Sequence, residues 1–326
     1  MNKSNLKNSL LPEAIFKKTL NEKYGLYEIT CSLISNIRNN VYIVNTKLKQ
    51  YIFKIYERKS RKENEIKGEI ELLNLLHDRG AAISYPIRDI EDNLIQKFET
   101  NAGPLFGVLF SFAKGKVYLK MNDSQLFNLG KELAVIHNIT HELNLENEIK
   151  EYDLQSLMFD SLSNIKPAFK RRPDDYKFLE ETAHKVKIKL DELNISAFDT
   201  GYIQYDISPY NIHFENETVT LFDYDLAKNT YIILDLICIY AHFFNLVRFG
   251  DIASEEANRE FDLFLDSYMQ IRKLPENEID AIPYLGFASF IYGMNFIYQN
   301  FSQSFFLNRL EHEMKRITLW ANIHHL

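Results

Sequence analysis

The residues best suited to chemistry lie in one short segment, residues 202–227, which reads YIQYDISPYNIHFENETVTLFDYDLA. Asp206, Asn211 and Asp223 interrupt two strand-like runs in this segment. Hard oxygen ligands of this kind suit Mg²⁺ that carries substrate phosphates, because Mg²⁺ keeps several waters and takes few protein ligands. Asp206 would then orient an attacking hydroxyl and accept its proton. The alternative is a polar hairpin whose side chains only build turns.

The runs NIHF and VTLF predict a β-hairpin whose turn is ENET, Glu215–Thr218. A preceding strand, YIQY, ends at Asp206. A three-residue loop would place Asn211 directly opposite Asp223, whereas an even loop would offset the two by one residue. In either register both residues fall at the open end of the hairpin.

A second pair of charged residues lies in the first third of the chain. Lys54 stands mid-strand in QYIFKIY, and Glu69 falls in the middle of an apolar arc of the next helix. A carboxylate that points into an apolar face needs a cation, and Lys54 is the natural donor. The alternatives are an outward-facing lysine and a glutamate that reaches water. Together the two residues predict an ion pair that binds phosphates.

The elements that must position these residues follow from the hydrophobic pattern. An opening helix is predicted in LPEAIFKKTLNEKYG, alternating strands over about 27–57, and a helix over about 62–78. YPIRDI and LIQKF are predicted as short strands, and LFGVLFSF as a longer buried strand. From residue 122 onward the pattern is helical except for the hairpin.

This order of elements predicts an α+β fold with two lobes. The first, residues 1–112, contains a small β-sheet and one helix, and the second, residues 113–326, is mostly helical and carries the hairpin. The hinge is predicted at about 110–116. The sequence contains no internal repeat that would indicate a repeat architecture instead.

Composition limits the class of protein. The chain has 326 residues, of which 46% are hydrophobic and 25% charged, as is ordinary for a globular protein. Its net charge of −7 gives no electrostatic support to a nucleic-acid partner, and the basic run FKRRP is expected to be a solvated loop.

The location of the protein is predicted from what the sequence lacks. Cys31 and Cys238 follow no pairing or zinc pattern, which favours a reduced, cytoplasmic protein. The N-terminal residues do not read as a signal peptide. The most apolar stretch, Tyr231–Val247, contains Asp235 and is expected to form a buried helix rather than a membrane span. We therefore expect no membrane partner.

The order of strand lysine, helix glutamate, DISPYN and LFDYDLA resembles the protein kinase-like fold. More closely, the chain resembles the aminoglycoside phosphotransferase and choline kinase-like family of small-molecule kinases. DISPYN matches the Asp-Leu-x-Pro-x-Asn catalytic loop of that family, and LGKELAVIH (Leu129–His137) resembles its helix after the hinge. FLDSYMQIRKLPENEI (Phe264–Ile279) is similar to the homoserine kinase-like subgroup. The resemblance covers about residues 27–285.

This resemblance implies a role for each residue of the two clusters. Asp206 would be the catalytic base, and Asn211 and Asp223 would hold Mg²⁺. Lys54 would contact the α- and β-phosphates of ATP, with GTP as the alternative donor, and Glu69 would hold Lys54 in place.

The nucleotide-binding residues implied by the resemblance lie in two loops. Ser35 and Asn39 would lie in the loop over the phosphates, although ISNIRNN contains no glycine. Adenine would bond to the backbone around Ser111 and Phe112.

Three further residues surround the implied catalytic centre. The family usually has histidine two residues before the catalytic aspartate, where this chain has Gln204, and we expect Gln204 to brace the loop. Asp235 is expected to tie down the catalytic loop. Asp225 would support the metal site or bind a second metal ion.

The sequence does not name the phosphate acceptor, which the resemblance limits to a small molecule with a hydroxyl group. Amino alcohols, sugars and aminoglycoside-like compounds all fit. Carboxylates such as Asp262 or Asp266, together with helical aromatics, would suit a cationic acceptor. The oligomeric state is not predicted.

The main alternative is a catalytically inactive kinase relative that serves as a binding or coat protein, motivated by Gln204 and the glycine-free loop. A protein kinase is a weaker alternative, because no Ala-Pro-Glu-like activation segment is recognisable. Zinc and nucleophile-triad enzymes lack a supporting motif in the sequence.

Overall fold

The computed structural model describes residues 11–57 and 61–326. The first ten residues, on which the expectation of no signal peptide largely rests, lie outside this part of the chain. The described residues form two compact units. The first contains residues up to Val117 and two later segments, Asn144–Ile149 and Ile212–Asp223. The second contains Tyr118–Leu143, Lys150–Asn211 and Tyr224–Leu326. The hinge at about 110–116 remains a prediction.

The strands are short and mostly antiparallel, and the longer helices lie in the second half of the chain. The strands are β1 Thr30–Ser35, β2 Asn40–Asn45, β3 Gln50–Tyr56, β4 Gln96–Phe98, β5 Leu105–Ser111, β6 Thr200–Ile203, β7 Ile212–Glu215, β8 Thr218–Leu221 and β9 Lys228–Tyr231. The α-helices are α1 Glu13–Tyr24, α2 Glu63–Asp78, α3 Asp123–His141, α4 Ser161–Ile165, α5 Pro173–Glu192, α6 Ile233–Phe249, α7 Ser254–Met269, α8 Glu276–Asp280, α9 Ile282–Asn300 and α10 Gln303–Ile323. A π-helix, Gln155–Asp160, leads into α4, and 3₁₀ segments occupy Lys166–Phe169, Ile195–Ala197 and Pro209–Asn211.

The first unit contains a sheet with the strand order β1-β2-β3-β5-β4. Helix α1 covers the sheet with Phe16 and Leu20, which are fully buried against Phe53 and Val44. Burial of these apolar side chains is the main driving force that joins helix and sheet. Gly25 ends α1 in the left-handed conformation (φ +64°), which glycine adopts without strain.

The predicted elements of the first unit are confirmed with one exception. YPIRDI does not form a strand and contributes only an isolated bridge between Pro86 and Phe110. Because proline has no N–H to donate, a regular ladder does not continue through this position. LIQKF contributes the short β4, and LFGVLFSF contributes β5.

Helix α2 buries the apolar arc that the sequence predicts, with Glu69 inside it. A side chain at Gly68 would collide with the backbone of Glu148, so glycine permits the segment Asn144–Ile149 to lie against α2. The carboxylate of Glu71 accepts bonds from the N–H groups of Glu146 and Asn147, at 2.7 and 2.8 Å.

The hairpin β7–β8 also belongs to the first unit. Its strands pair from Ile212 with Leu221 to Glu215 with Thr218, so the turn has two residues, not three. The register with Asn211 opposite Asp223 is therefore wrong, and the even-loop alternative is the one observed. Asn216 makes this tight turn by adopting the left-handed conformation, with φ +56°.

The second unit is mostly helical, as predicted. Helix α3 packs along α7, where Gly130 allows close approach to the backbone of Phe264. Trp320 of α10 is fully buried and contacts the rings of Phe244 and Phe290. The aromatic residues of α6 and α9 are thus largely core residues at helical spacing.

One strand of the second unit is absent from the sequence prediction. β9 pairs antiparallel with β6, although the pattern after the hairpin indicates only helix. KNTY is too short and too polar to give a clear alternating pattern, and its partner β6 is remote in sequence.

Two further observations concern the cysteines and the apolar helices. Cys31 and Cys238 are free thiols. Among residues 11–57 and 61–326, no helix combines the length and the apolar character that a membrane crossing requires.

Candidate active site

In the first unit, the ammonium group of Lys54 lies between two carboxylates. Its Nζ is 3.3 Å from Glu69 Oε1 and 3.3 Å from Asp223 Oδ1. Strand β3 holds Lys54 in place through pairing on both sides, with Val41 of β2 and Val108 of β5. The Lys54–Glu69 ion pair predicted from the sequence is present, and its role in binding phosphates remains a prediction.

Glu69 has two additional donors that the sequence did not indicate. The hydroxyl of Tyr56 donates to Glu69 Oε1 at 3.0 Å, and the guanidinium of Arg61 pairs with Oε2. Glu69 is 1% exposed, so its charge depends on these donors rather than on water. Arg61 lies just before α2, and its charge is the only feature of the sequence that could have indicated it as a partner of Glu69.

Asp223 follows β8 and has a left-handed backbone, with φ +64°. Aspartate tolerates this conformation better than most residues, because its short polar side chain can bond locally. The side chain is 48% exposed on its open side while it pairs with Lys54. A carboxylate so placed can bind a lysine or a metal ion.

In the second unit, Asp206 and Asn211 close a short loop that follows β6. Asn211 Nδ2 donates to the backbone oxygen of Asp206 at 2.9 Å and to Asp206 Oδ2 at 2.9 Å. Because the amide nitrogen of Asn211 faces Asp206, its oxygen is the atom that could bind a metal.

Asp235 holds the backbone immediately before Asp206. Its Oδ1 accepts from the N–H of Tyr205 at 2.7 Å, and its Oδ2 accepts from the N–H of Gln204 at 3.1 Å. Gln204 is buried, and the contact uses its backbone, so this anchor does not depend on the residue type at that position.

His137 supports Asp235 from α3 and was not singled out as a site residue from the sequence. Its Nε2 is 3.2 Å from Asp235 Oδ2, and its Nδ1 is 2.8 Å from the hydroxyl of Tyr268. Complete burial lowers the pKa of His137, although the hydrogen bond to Asp235 opposes this effect. His137 is therefore neutral at pH 7 and orients Asp235 without an added charge.

Tyr205, which directly precedes Asp206, has a strained backbone, with φ +62°. A bulky aromatic residue in this region is an outlier, and such strain persists only where surrounding contacts enforce it. The bond from Tyr205 N–H to Asp235 is one such contact. The conformation of the residue before Asp206 is thus held by Asp235 of α6, and His137 of α3 holds Asp235 in turn.

Of the two residues predicted to lie over the phosphates, Asn39 has a side-chain oxygen that is already bonded within the chain. Ser35 ends β1 beside a register irregularity. Asn39 is buried, and its Oδ1 accepts from the N–H of Glu57 at 3.3 Å.

At the predicted hinge, Ser111 bonds to the preceding loop through three groups. Its N–H donates to Tyr85 O at 2.9 Å, its O accepts from Ser84 Oγ at 2.7 Å, and its Oγ accepts from Tyr85 N–H at 3.0 Å. Of the two predicted adenine-binding residues, Phe112 is therefore the better candidate.

The structure thus brings Lys54, Glu69 and Asp223 together in the first unit, and Asp206, Asn211 and Asp235 together in the second. Asp225 is half-buried in the turn before β9. Within the described ranges, no group of three or more His, Cys, Asp and Glu side chains is arranged for a metal ion. The carboxylate of Asp223 and the carboxamide oxygen of Asn211 are each a ligand type that suits Mg²⁺, which needs only one or two protein ligands when phosphates and water supply the rest.

Solved structures with the same fold are kinases of small molecules. The amicoumacin kinase hAmiN, in complex with AMP-PNP, Ca²⁺ and Ami, superposes with a TM-score of 0.70 at 17% identity, covering 97% of this chain and 95% of that one. A microcompartment-associated aminopropanol kinase superposes with a TM-score of 0.71 at 12% identity, covering 96% and 97%. These similarities confirm the predicted protein kinase-like fold.

Sequence comparison gives the family. The sequence model of the phosphotransferase enzyme family matches residues 30–262. The chain belongs to this family and is a small-molecule kinase. An uncharacterized protein of Synechocystis sp. is 26% identical over 258 residues, which cover 78% of this chain and 69% of that protein.

Proposed function

We propose that the protein transfers the γ-phosphate of ATP to a hydroxyl group of a small molecule. The observation that carries this proposal is the buried Lys54, which Glu69 and Asp223 hold from two sides. In a nucleotide complex, phosphates would replace Asp223 as partners of Lys54, and the carboxylate of Asp223 would be available to hold Mg²⁺. Lys54 thus offers the positive charge that the phosphates of a nucleotide need, and Asp223 offers the negative charge that Mg²⁺ needs.

The acceptor side of the reaction is assigned to Asp206. We propose that its carboxylate orients the acceptor hydroxyl and accepts its proton, while Asn211 and Asp223 are the Mg²⁺ ligands and Asp225 a further candidate ligand. The bond from Asn211 to Asp206 Oδ2 supports this role, because it fixes the orientation of the carboxylate. When bound, Mg²⁺ would stabilise the negative charge on the transferred phosphoryl group.

The choice of nucleotide and acceptor draws on the structural neighbours. AMP-PNP in the amicoumacin kinase supports an adenine nucleotide, with GTP as the alternative donor to be compared. Amicoumacin and aminopropanol, named for the two neighbours, support an acceptor that is an amino alcohol or an antibiotic-like molecule, and a sugar is the third candidate to be compared.

The inactive-relative alternative loses part of its motivation. It relied on Gln204 in place of histidine, yet the observed anchor of this residue is its backbone N–H on Asp235. A glutamine therefore keeps this contact as well as a histidine would.

An ATP-coupled screen over amino alcohols, sugars and aminoglycosides tests the proposal, with Asp206→Asn as the inactive variant. We expect the variant to keep its nucleotide affinity and to lose at least about 100-fold in kcat, as is typical for removal of a catalytic base. Asp174→Asn, an exposed change on α5, is the matched control and should leave kcat unchanged. Full turnover by Asp206→Asn would remove Asp206 from the mechanism.

A further inference from the structure

A second buried lysine, Lys228, lies among three tyrosine rings in the second unit. Its Nζ is 3.9 Å from the ring centroid of Tyr205, 4.3 Å from that of Tyr292 and 5.1 Å from that of Tyr152. The ammonium also donates to the backbone oxygen of Leu226 at 3.2 Å. We call the three tyrosines and Lys228 the tyrosine cage, because the faces of aromatic rings attract an ammonium group and proteins use such rings to recognise quaternary and methylated ammonium ligands.

The tyrosine cage is assembled from separate parts of the chain. Lys228 begins β9 opposite Ile203, two residues before Tyr205. The N–H of Tyr152 donates to Asn229 O at 2.9 Å, which fixes Tyr152 against β9. Tyr292 comes from α9.

The rings of the cage also brace one another. Tyr292 meets Tyr205 edge to face at 5.2 Å and meets Tyr152 edge to face at 5.4 Å. Such arrangements are the preferred geometry for aromatic pairs. Lys228 is 3% exposed, so its ammonium has little freedom to leave the rings.

Tyr205 links the cage to the proposed catalytic centre. It directly precedes Asp206 and has a left-handed backbone, a conformation that glycine would adopt without strain. The left-handed backbone makes tyrosine less favourable than glycine at this position. The side chain of Tyr205 is therefore expected to have a role that glycine could not fill. In this structure the side chain of Tyr205 forms the nearest wall of the cage.

We propose that Lys228 is a positioning residue, the internal ligand of an amine-binding tyrosine cage that fixes Tyr205 and thereby Asp206. The proposal rests on the proposed function, because it assigns the benefit to Asp206. It also makes a separate claim about binding: the rings form a site for a primary ammonium group, which the chain fills with its own lysine.

The test is to empty the cage and refill it. Lys228→Ala removes the ammonium, and methylammonium or ethylammonium chloride supplies it again. We expect kcat to fall at least tenfold with little change in KM for ATP, because the phosphates of ATP are assigned to Lys54. Alkylammonium should restore a saturable part of kcat, and sodium chloride at equal ionic strength should not.

Binding is measured separately from turnover. We expect ethylammonium to raise the Tm of Lys228→Ala and to leave the Tm of wild type unchanged. Lys185→Ala, an exposed change on α5, is the matched control and should respond as wild type does. If Lys228→Ala does not fold, Lys228→Met keeps the apolar stem and Lys228→Arg keeps the cation; we expect Arg to retain more kcat than Met.

Tyr205→Gly addresses the strain argument. If the contacts of the Tyr205 ring only offset the strain of its backbone, Tyr205→Gly should leave kcat at the wild-type value or above it. That result would overturn the proposal. We expect a decrease in kcat, since the cage loses its nearest wall.

The remaining outcomes separate the two proposals. If Lys228→Ala and Lys228→Met both turn over substrate as fast as wild type does, the positioning role is overturned and the amine site is not. A Tm of Lys228→Ala that ethylammonium does not change would overturn the amine site. Absence of turnover in wild type would overturn the proposed function and the positioning role together, whereas the Tm measurement would still decide on the amine site.

Discussion

The two units each contain a buried lysine: Lys54 is paired with carboxylates, and aromatic rings line the site of Lys228. Lys54, 6% exposed, lies between the carboxylates of Glu69 and Asp223. Lys228, 3% exposed, lies among tyrosine rings and beside a backbone oxygen. A carboxylate neutralises an ammonium by its charge, whereas an aromatic ring attracts an ammonium through its face and carries no charge.

This difference separates a binding group from a positioning group. Phosphates can take the place of Asp223 at Lys54, because one anion replaces another. At Lys228, three rings line the ammonium of a residue that is 3% exposed, which leaves little access for an incoming anion. Low exposure alone therefore does not assign a function to a lysine; the kind of partner does.

The largest effect is expected where the first unit's ion pair is broken. Glu69→Ala removes the carboxylate that Lys54, Tyr56 and Arg61 share, so we expect the free energy of unfolding to fall by about 3–5 kcal/mol. Urea denaturation measures it. Glu63→Gln, on the exposed first turn of α2, removes only the surface pair with Lys67 and should leave the free energy of unfolding nearly unchanged. Equal effects of the two changes would contradict the importance of burial at Glu69.

A smaller effect is expected from a change at Asp235, which accepts the backbone N–H of Tyr205. Asp235→Asn replaces one acceptor oxygen by a donor, so one of the N–H groups of Gln204 and Tyr205 loses its partner, at a cost of about 1–3 kcal/mol. We expect kcat to fall while KM for ATP stays unchanged. Circular dichroism of the same samples gives the folded fraction and distinguishes this from a general loss of folded protein, which would lower the apparent kcat in proportion to the unfolded fraction. A change confined to KM for ATP would contradict the assignment of Asp235 to the acceptor side.

The smallest effect is a dependence of stability on pH. Burial lowers the pKa of His137 below its ordinary value of 6.5, so the unfolded state binds more protons as the pH falls through 6.5. The stability contributed by neutral His137 is thus present above that pH and is lost as the pH falls towards the lowered value. We expect the free energy of unfolding of His137→Gln to vary less between pH 7 and 5 than that of wild type, and His184→Gln, exposed on α5, to match wild type. An unchanged slope in His137→Gln would contradict the neutral buried state.

Sequence reasoning reached the parts of the site that depend on local pattern. Lys54 and Glu69 were found because a charged residue within an apolar period is visible in a strand or a helix. The loop of Asp206 and Asn211 was found from its spacing and its resemblance to a family motif. The family and the fold followed from the order of these features, and both are confirmed.

The features that sequence reasoning missed depend on partners that are distant along the chain. Strand β9 has its pattern only in the context of β6, and the tyrosine cage needs Tyr152, Tyr205 and Tyr292 at once. The register of the hairpin follows from a two-residue turn in which Asn216 adopts a left-handed conformation. Periodicity contains no information on such choices.

Isothermal titration with ATP in the presence of Mg²⁺ tests the central claim most directly. We predict that wild type binds the nucleotide, that Lys54→Met loses at least about tenfold in affinity (about 1.4 kcal/mol) and that Lys228→Met binds as wild type does. Binding that Lys54→Met retains in full, or that Lys228→Met loses instead, would contradict the assignment of the nucleotide to Lys54.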